Sequence, residues 1–437
     1  MIIDIDAASI QRIKNKQFRD YANIYIDIYQ TYMKGVKESG IDIEKNFYHK
    51  EYESILYELK RKGATFRNNG KSIFVNKISP ACESCQTGMG SATFFISLQC
   101  NRNCFYCFNP NQEDYEIYKK QKRDVSGELD QLFDKGYQIT HLALSGGEPL
   151  LFKDETVDFF RIAKSRSSNT YTRLYTCGDF LEENILERLG NAGLDEIRVS
   201  IKMEDPLVKR KILFNKLALA RQIIPNVMVE MPVLPGTLEE MKDILQELND
   251  LNISGINLLE FCFSYQNVAE FTKRSYKIKR RPFHVLYDYW YAGALPVSGS
   301  ELESLWLVEF AIDRGLKLGV HYCSHENKHT GQIFQQNYNR KVEQQYYFSN
   351  KDYFFKTAKV FSKDIQRVTN ILGNNHYLIN TEYGYLEFHP SLIKLLQTID
   401  VEIGISTLVM EERMEGIFLR ELKLDFTAPH LFTMNDL

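Results

Sequence analysis

Nowhere do eighteen apolar residues run together, so the sequence offers no membrane-spanning helix. The opening Met-Ile-Ile-Asp-Ile-Asp carries acids where a secretory leader carries positive charge, and the chain is expected to remain in a reducing cytoplasm. A surplus of positive charge is also missing. Fifty-four Lys and Arg against 57 Asp and Glu leave a net charge of −3, which makes no global case for nucleic acid. There is no low-complexity linker, and no repeat beyond a strand–helix rhythm. No cysteine follows Cys323. The 437 residues that remain suffice for one large domain with smaller additions.

The eight cysteines are unevenly placed. In a reducing compartment, tight local spacing points to metal binding or catalysis rather than disulfides. Cys100, Cys104 and Cys107 stand as C-x3-C-x2-C in Gln-Cys-Asn-Arg-Asn-Cys-Phe-Tyr-Cys-Phe-Asn-Pro, just after an apolar run from Thr93 to Leu98. Three thiolates on one loop can grip one face of a cubic iron–sulfur cluster and leave one iron open. A zinc site is the competing reading. Cys82 and Cys85 form a C-x2-C pair, half a metal site; they belong either to an additional metal or cluster site or are two free cysteines in a loop.

From residue 92 the chain alternates. Strand-like runs at 93–98, 141–144, 172–176, 196–201, 226–233, 256–263 and 316–322 are separated by amphipathic helical patterns at 125–135, 154–167, 182–192, 206–223, 238–252 and 301–314. This predicts an α/β fold, a partial (β/α)6-type TIM-like barrel, with strand C-terminal ends gathered at one mouth. An N-terminal helical extension over 1–80, a cap or a substrate-binding region, should precede a core over 81–323. A small α+β C-terminal element should follow over 324–437. Residues 264–299 break the rhythm with Lys277, Lys279, Arg280 and Arg281, then Phe283, His284, Tyr287, Tyr289, Trp290 and Tyr291. They read as a surface for an anionic or peptide substrate, or as a solvated loop before an aromatic helix. His321, His325 and His329 read as a polar turn, with a shared ligand face on a helix as the alternative.

A second motif, Leu144-Ser145-Gly146-Gly147-Glu148-Pro149, ends the second strand. Its glycines let backbone approach a ligand, and Glu148 can accept hydrogen bonds from an ammonium. Cys177, Cys262 and Cys323 fall at strand ends and so at the mouth, where one of them is a candidate to touch substrate. Buried small hydrophobes are the plainer reading of the three.

The cysteine loop, with Tyr106 between its last two cysteines, followed about forty residues later by Gly-Gly-Glu, resembles the radical S-adenosylmethionine (radical SAM) superfamily over residues 90–260. The resemblance implies that Cys100, Cys104 and Cys107 hold a [4Fe–4S] cluster whose open iron chelates S-adenosylmethionine (SAM). It implies that Gly146, Gly147 and Glu148 meet the SAM amino group. Thr176, in Tyr-Thr-Cys-Gly, matches the family's Thr-x-Gly turn. Ser200 is implied for the ribose, Lys202 for the carboxylate, and Val233 for packing near adenine. An electron donor such as flavodoxin or ferredoxin is an implied partner, and oxygen sensitivity an implied property. The cysteine-rich SPASM-type extension is absent from the pattern, and the N-terminal region is too short and helical for a separate cobalamin domain. A peptide or protein substrate is the leading expectation and a small metabolite the alternative. Activation of a glycyl-radical partner ranks lower, because such activators are usually smaller. A non-catalytic iron–sulfur or zinc protein is the competing class.

Overall fold

A computed structural model describes residues 1–46, 48–280 and 294–437. These divide into two compact units, one of residues 40–280 and 294–328, the other of residues 1–39 and 329–437. The boundary drawn at 80/81 from the sequence therefore falls inside the first unit. The Arg281–Tyr291 part of the basic–aromatic stretch lies outside the described residues.

The first unit is built on nine strands: β1 (Thr65–Arg67), β2 (Ser72–Val75), β3 (Ser91–Phe95), β4 (His141–Ser145), β5 (Tyr171–Thr176), β6 (Glu196–Val199), β7 (Asn226–Val233), β8 (Gly255–Glu260) and β9 (Gly319–Cys323). Strands β3 to β9 pair in parallel and in chain order, and the β1–β2 hairpin adds antiparallel to β9. Strands β1 and β3 do not pair, so the barrel is partial.

Six helices make the crossovers: α1 (Val125–Asp134), α2 (Lys153–Arg166), α3 (Glu183–Asn191), α4 (Leu207–Ile223), α5 (Leu238–Asp250) and α6 (Ser300–Asp313). Each buries an apolar face against the sheet. In α5, Met241, Ile244, Leu245 and Leu248 follow the helical period into the core, and each such side chain contributes about 1.5–3 kcal/mol.

Strand alternation sorts the opposite face. Along β7, Val227, Val229, Met231 and Val233 join the helix-facing core, which leaves Met228 and Glu230 to the lumen. The lumen residues are polar on several strands: Arg173, Glu196, Arg198, Glu230, Asn257 and His321. The short helix Pro80–Ser84, capped by Ser79, enters the same space, because Ser79 Oγ donates to Glu196 Oε2 at 2.6 Å.

The second unit carries a seven-stranded antiparallel sheet. Helix Lys16–Glu38 starts at Asn15, whose side chain accepts from the Phe18 backbone, and stacks Phe18 on Phe361 at 4.6 Å. The first 39 residues thus complete the C-terminal α+β element, while residues 40–80 supply the β1–β2 hairpin to the barrel sheet.

Candidate active site

The cysteine loop leaves β3 and is fastened on both sides. Arg102 donates to Asp179 Oδ1 at 2.5 Å and to Asp205 Oδ1 at 2.9 Å, tying the loop to the segments after β5 and before α4. Asn101 Nδ2 donates to Asp179 Oδ2 at 2.6 Å, and Asn109 Nδ2 to the Gly146 carbonyl at 2.8 Å. None of these anchors has a signal in the cysteine spacing; the polar residues between the cysteines were the only hint.

Two of the three sulfurs already receive backbone N–H groups. Cys100 Sγ accepts from Arg102 N at 3.4 Å, and Cys107 accepts from the Asn109 backbone. Burial pushes both thiols above the usual range, and these N–H groups pull back toward thiolate. Each also feels the charge of neighbouring cysteines of the loop. Among the described residues no group of three Cys, His, Asp or Glu is placed to hold a metal ion. Tetrahedral zinc draws its ligands to about 2.3 Å from one point. A cluster takes each sulfur on a different iron, and backbone N–H groups already aimed at Cys100 and Cys107 suit sulfurs held as thiolates.

The glycine turn is packed against that loop rather than opened toward a ligand. Gly146 adopts φ +110°, and a Cβ there would meet Phe95 Cβ at 2.5 Å and the Ser97 carbonyl at 2.8 Å. A Cβ on Gly147 would overlap the Gln99 carbonyl oxygen. Backbone bonds seal the contact: Gly147 N to Ser97 O at 3.0 Å and Glu148 N to Gln99 O at 2.8 Å.

Glu148 is buried and accepts from Leu150 N at 3.0 Å, Thr176 Oγ1 at 2.7 Å and Cys177 N at 2.7 Å. It clamps the turn to the end of β5. Thr176 is correspondingly spent, since its hydroxyl donates to Glu148 and accepts from Gly178 N at 3.0 Å. The expected ligand-facing role of Thr176 gives way to this internal one.

Tyr106, Ser200 and Lys202 do come together beside the loop. Lys202 Nζ donates to Ser200 Oγ at 2.8 Å, lies 5.7 Å from the Tyr106 ring centre, and its charge reaches the Cys107 thiol. Val233 does not join them. It is fully buried in the helix-facing core, because alternation along β7 sends its side chain away from the lumen.

The three cysteines expected at the mouth are all buried with engaged sulfurs. Cys177 lies 3.6 Å from Asn101 Oδ1, and burial followed by the Glu148 charge pushes its thiol up. Cys262 Sγ donates to Glu260 O at 3.3 Å and stands 3.2 Å from His325 Nδ1; burial pushes its thiol to about 12. Cys323 accepts from Asn327 Nδ2 at 3.3 Å and is likewise pushed to about 12 by burial. A closed, protonated thiol is a poor nucleophile.

Cys82 and Cys85 sit at the lumen. Cys82 Sγ accepts from Arg198 Nη2 and Asn257 Nδ2, both at 3.3 Å, and the charges of Arg173, Glu230 and Arg198 act on Cys85. His325 and His329 begin a helix and are buried, so the polar turn expected there is not formed; His321 bridges Ser72 and Asn257. Lys279 pairs with Glu260 and Glu301.

Residues 95–248 match the family described as the Radical SAM superfamily. The chain carries a radical SAM domain. A protein of Methanocaldococcus jannaschii, named as a glycyl-radical enzyme activating enzyme, is 24% identical over 367 residues, 81% of this chain and 88% of that one. The PqqA peptide cyclase of Gluconobacter oxydans is 30% identical over 143 residues, 33% of this chain and 38% of the relative. A crystal structure of Streptococcus suis SuiB bound to SAM aligns with a TM-score of 0.40 at 12% identity, covering 67% of this chain and 66% of that one. The radical SAM enzyme uses a [4Fe–4S] cluster and SAM as cofactors. Because the archaeal relative aligns over most of both chains, chain length gives no ground for setting glycyl-radical activation aside. No helix among the described residues is long and apolar enough to cross a membrane.

Proposed function

We propose that Cys100, Cys104 and Cys107 hold the cluster and that SAM docks between it and the Gly146–Glu148 turn, for hydrogen abstraction from a peptide or protein under modification. The observation that carries this reading is the seal of the glycine turn on Ser97 and Gln99, which sets the turn and the cysteine loop as one wall. When bound, the cluster and SAM would supply one chemistry, the one-electron reductive generation of a radical able to take a hydrogen atom from a substrate. The chain's own residues bind and orient. Lys202, whose charge reaches Cys107, would meet the SAM carboxylate, and Ser200, hydrogen-bonded to Lys202, a ribose hydroxyl. Glu148 holds the turn so that its carbonyls stay fixed, and its clamp on Thr176 and Cys177 keeps the end of β5 beneath them. A one-electron donor such as flavodoxin or ferredoxin is part of this reading.

A polypeptide substrate is supported by the second unit. Strand Tyr377–Asn380 forms an edge of its sheet, and Leu378 and Ile379 are exposed there, a form that accepts an added extended strand. Modification of a small metabolite is the second reading, favoured by the polar lumen under the mouth. Anaerobic reconstitution, reduction with dithionite and addition of SAM test the core of the proposal. Wild type should form 5′-deoxyadenosine, and Cys104→Ala should lose both iron and product. A fully loaded cluster that yields no 5′-deoxyadenosine would instead identify a non-catalytic iron–sulfur protein.

A further inference from the structure

Strands β3 to β9 present two arginines to the lumen, and the fold satisfies one of them. Arg198 donates to Glu196 at 2.5 Å, to Glu230 at 2.6 Å, to Tyr175 Oη at 3.3 Å and to Cys82 Sγ at 3.3 Å. Arg173, on the neighbouring strand β5, is 8% exposed, and among the described residues its side chain makes neither a hydrogen bond nor an ion pair. Its buried Nε meets no acceptor. Among the described residues its ring neighbour is Tyr175, with the guanidinium carbon 5.9 Å from the ring centre.

Of the five N–H donors a guanidinium offers, the Nε–H of Arg173 is buried unmatched, which is unfavourable, and the rest of the fork is left to the lumen. Glu196 gives one oxygen to Arg198 and the other to Ser79 and Tyr171, and Glu230 Oε2 takes Arg198 and Asn257, so Arg173 reaches Glu230 only through space. Burial, followed by the charge of Arg173, holds His141 below its usual range, so His141 adds no positive charge at neutral pH.

Solvent reaches the residues near Arg173 at Thr93 and Cys85. In the parallel register its neighbours at the same level are Ala143 on β4 and, beyond it, Thr93 on β3. Ala143 is small and fully buried, whereas Thr93 and Cys85, whose thiol feels the Arg173 charge, are exposed. Arg173 lies three residues before the end of β5, about 10 Å below the mouth at strand rise.

We infer that Arg173 is the anchor of a carboxylate-binding subsite in the barrel lumen, which seats a carboxylate of the substrate below the reacting carbon. The inference rests on the radical reading only for the claim that this carboxylate belongs to the substrate. A planar carboxylate matches the guanidinium fork with two parallel hydrogen bonds. Charge selects carboxylate over phosphate. Arg173 and Arg198 already balance Glu196 and Glu230, so a monoanion leaves one uncompensated charge in the lumen and a dianion leaves two.

The test uses the anaerobically reconstituted enzyme, its cluster content checked by visible absorbance. Thermal unfolding is followed with acetate, benzoate, acetamide or inorganic phosphate, chloride being adjusted to keep ionic strength constant. Wild type should melt higher with acetate and benzoate and stay unmoved by acetamide, because a ligand that binds the folded state stabilises it. Arg173→Met should lose that response and, relieved of an unmatched cation, melt about 2–4 °C higher without any ligand. An Arg173→Met protein that melts lower, with a wild type indifferent to carboxylates, would make Arg173 a structural residue and overturn the inference. So would equal carboxylate shifts in both proteins, or a shift from phosphate alone. A normal carboxylate shift in an enzyme that forms no 5′-deoxyadenosine would leave the subsite standing and remove the radical reading instead.

Discussion

Each of the two compact units buries a cation in its sheet, and the two are treated in opposite ways. Lys359, in the antiparallel sheet of the second unit, is 1% exposed and fully answered. It pairs with Glu421, donates to Tyr21 Oη at 3.3 Å, and sits 4.3 Å from the centre of the Tyr385 ring. Arg173, in the parallel sheet of the first unit, makes no side-chain hydrogen bond or ion pair among the described residues, and its charge reaches Glu230 only through space. Lys359 is answered within its own sheet, whereas the inferred subsite leaves Arg173 to be answered by a guest, at a cost in stability.

Opposite signs of response would sharpen that contrast most. Lys359→Ala should destabilise the protein by about 3–5 kcal/mol, because it strands the Glu421 carboxylate in a buried site; denaturant titration reads this directly. Loss below about 1 kcal/mol would end the contrast. Next comes the mouth, where Gly147→Ala forces a methyl into the Gln99 carbonyl. About 3 kcal/mol of stability should disappear together with cluster retention, measured by unfolding and by iron content. Glu148→Gln replaces a carboxylate that receives three donors, and should cost about 2 kcal/mol by denaturant titration. If SAM affinity fell in that variant with stability unchanged, the carboxylate would be a ligand group rather than a clamp. The smallest change belongs to Arg173→Met, a gain of about 1 kcal/mol, and its sign is what matters.

Much of the architecture was legible because hydrophobic period and turn chemistry are local. Strand Asn226–Val233 lies where the sequence placed it, and the six crossover helices fall within a residue or two of their expected bounds. The cysteine loop and the glycine turn were likewise visible from spacing, and the fold does bring them into contact. What spacing could not convey was direction. Val233 was read toward the mouth, yet parity with Val229 and Met231 turns it outward. Thr176 and Glu148 were read as facing a ligand, but each finds its partner in the other, across 28 positions of chain. Arg173 passed unnoticed because the pairing of a charge, or its lack, is settled by residues on other strands. The N-terminal 39 residues were assigned to a cap for the same reason: their helix shows its period, not the sheet it will cover.

The backbone seal between Ser97–Gln99 and Gly147–Glu148 carries a practical consequence for anyone rebuilding this barrel. The sulfur-bearing loop is not a portable part. Transplanted alone into a foreign scaffold, it would lose the facing carbonyls and amides that fix its exit angle, and the Asn109 tether would have nothing to grasp. A successful graft would have to move residues 95–110 and 144–149 as a matched pair, with two bare glycines preserved at the seam.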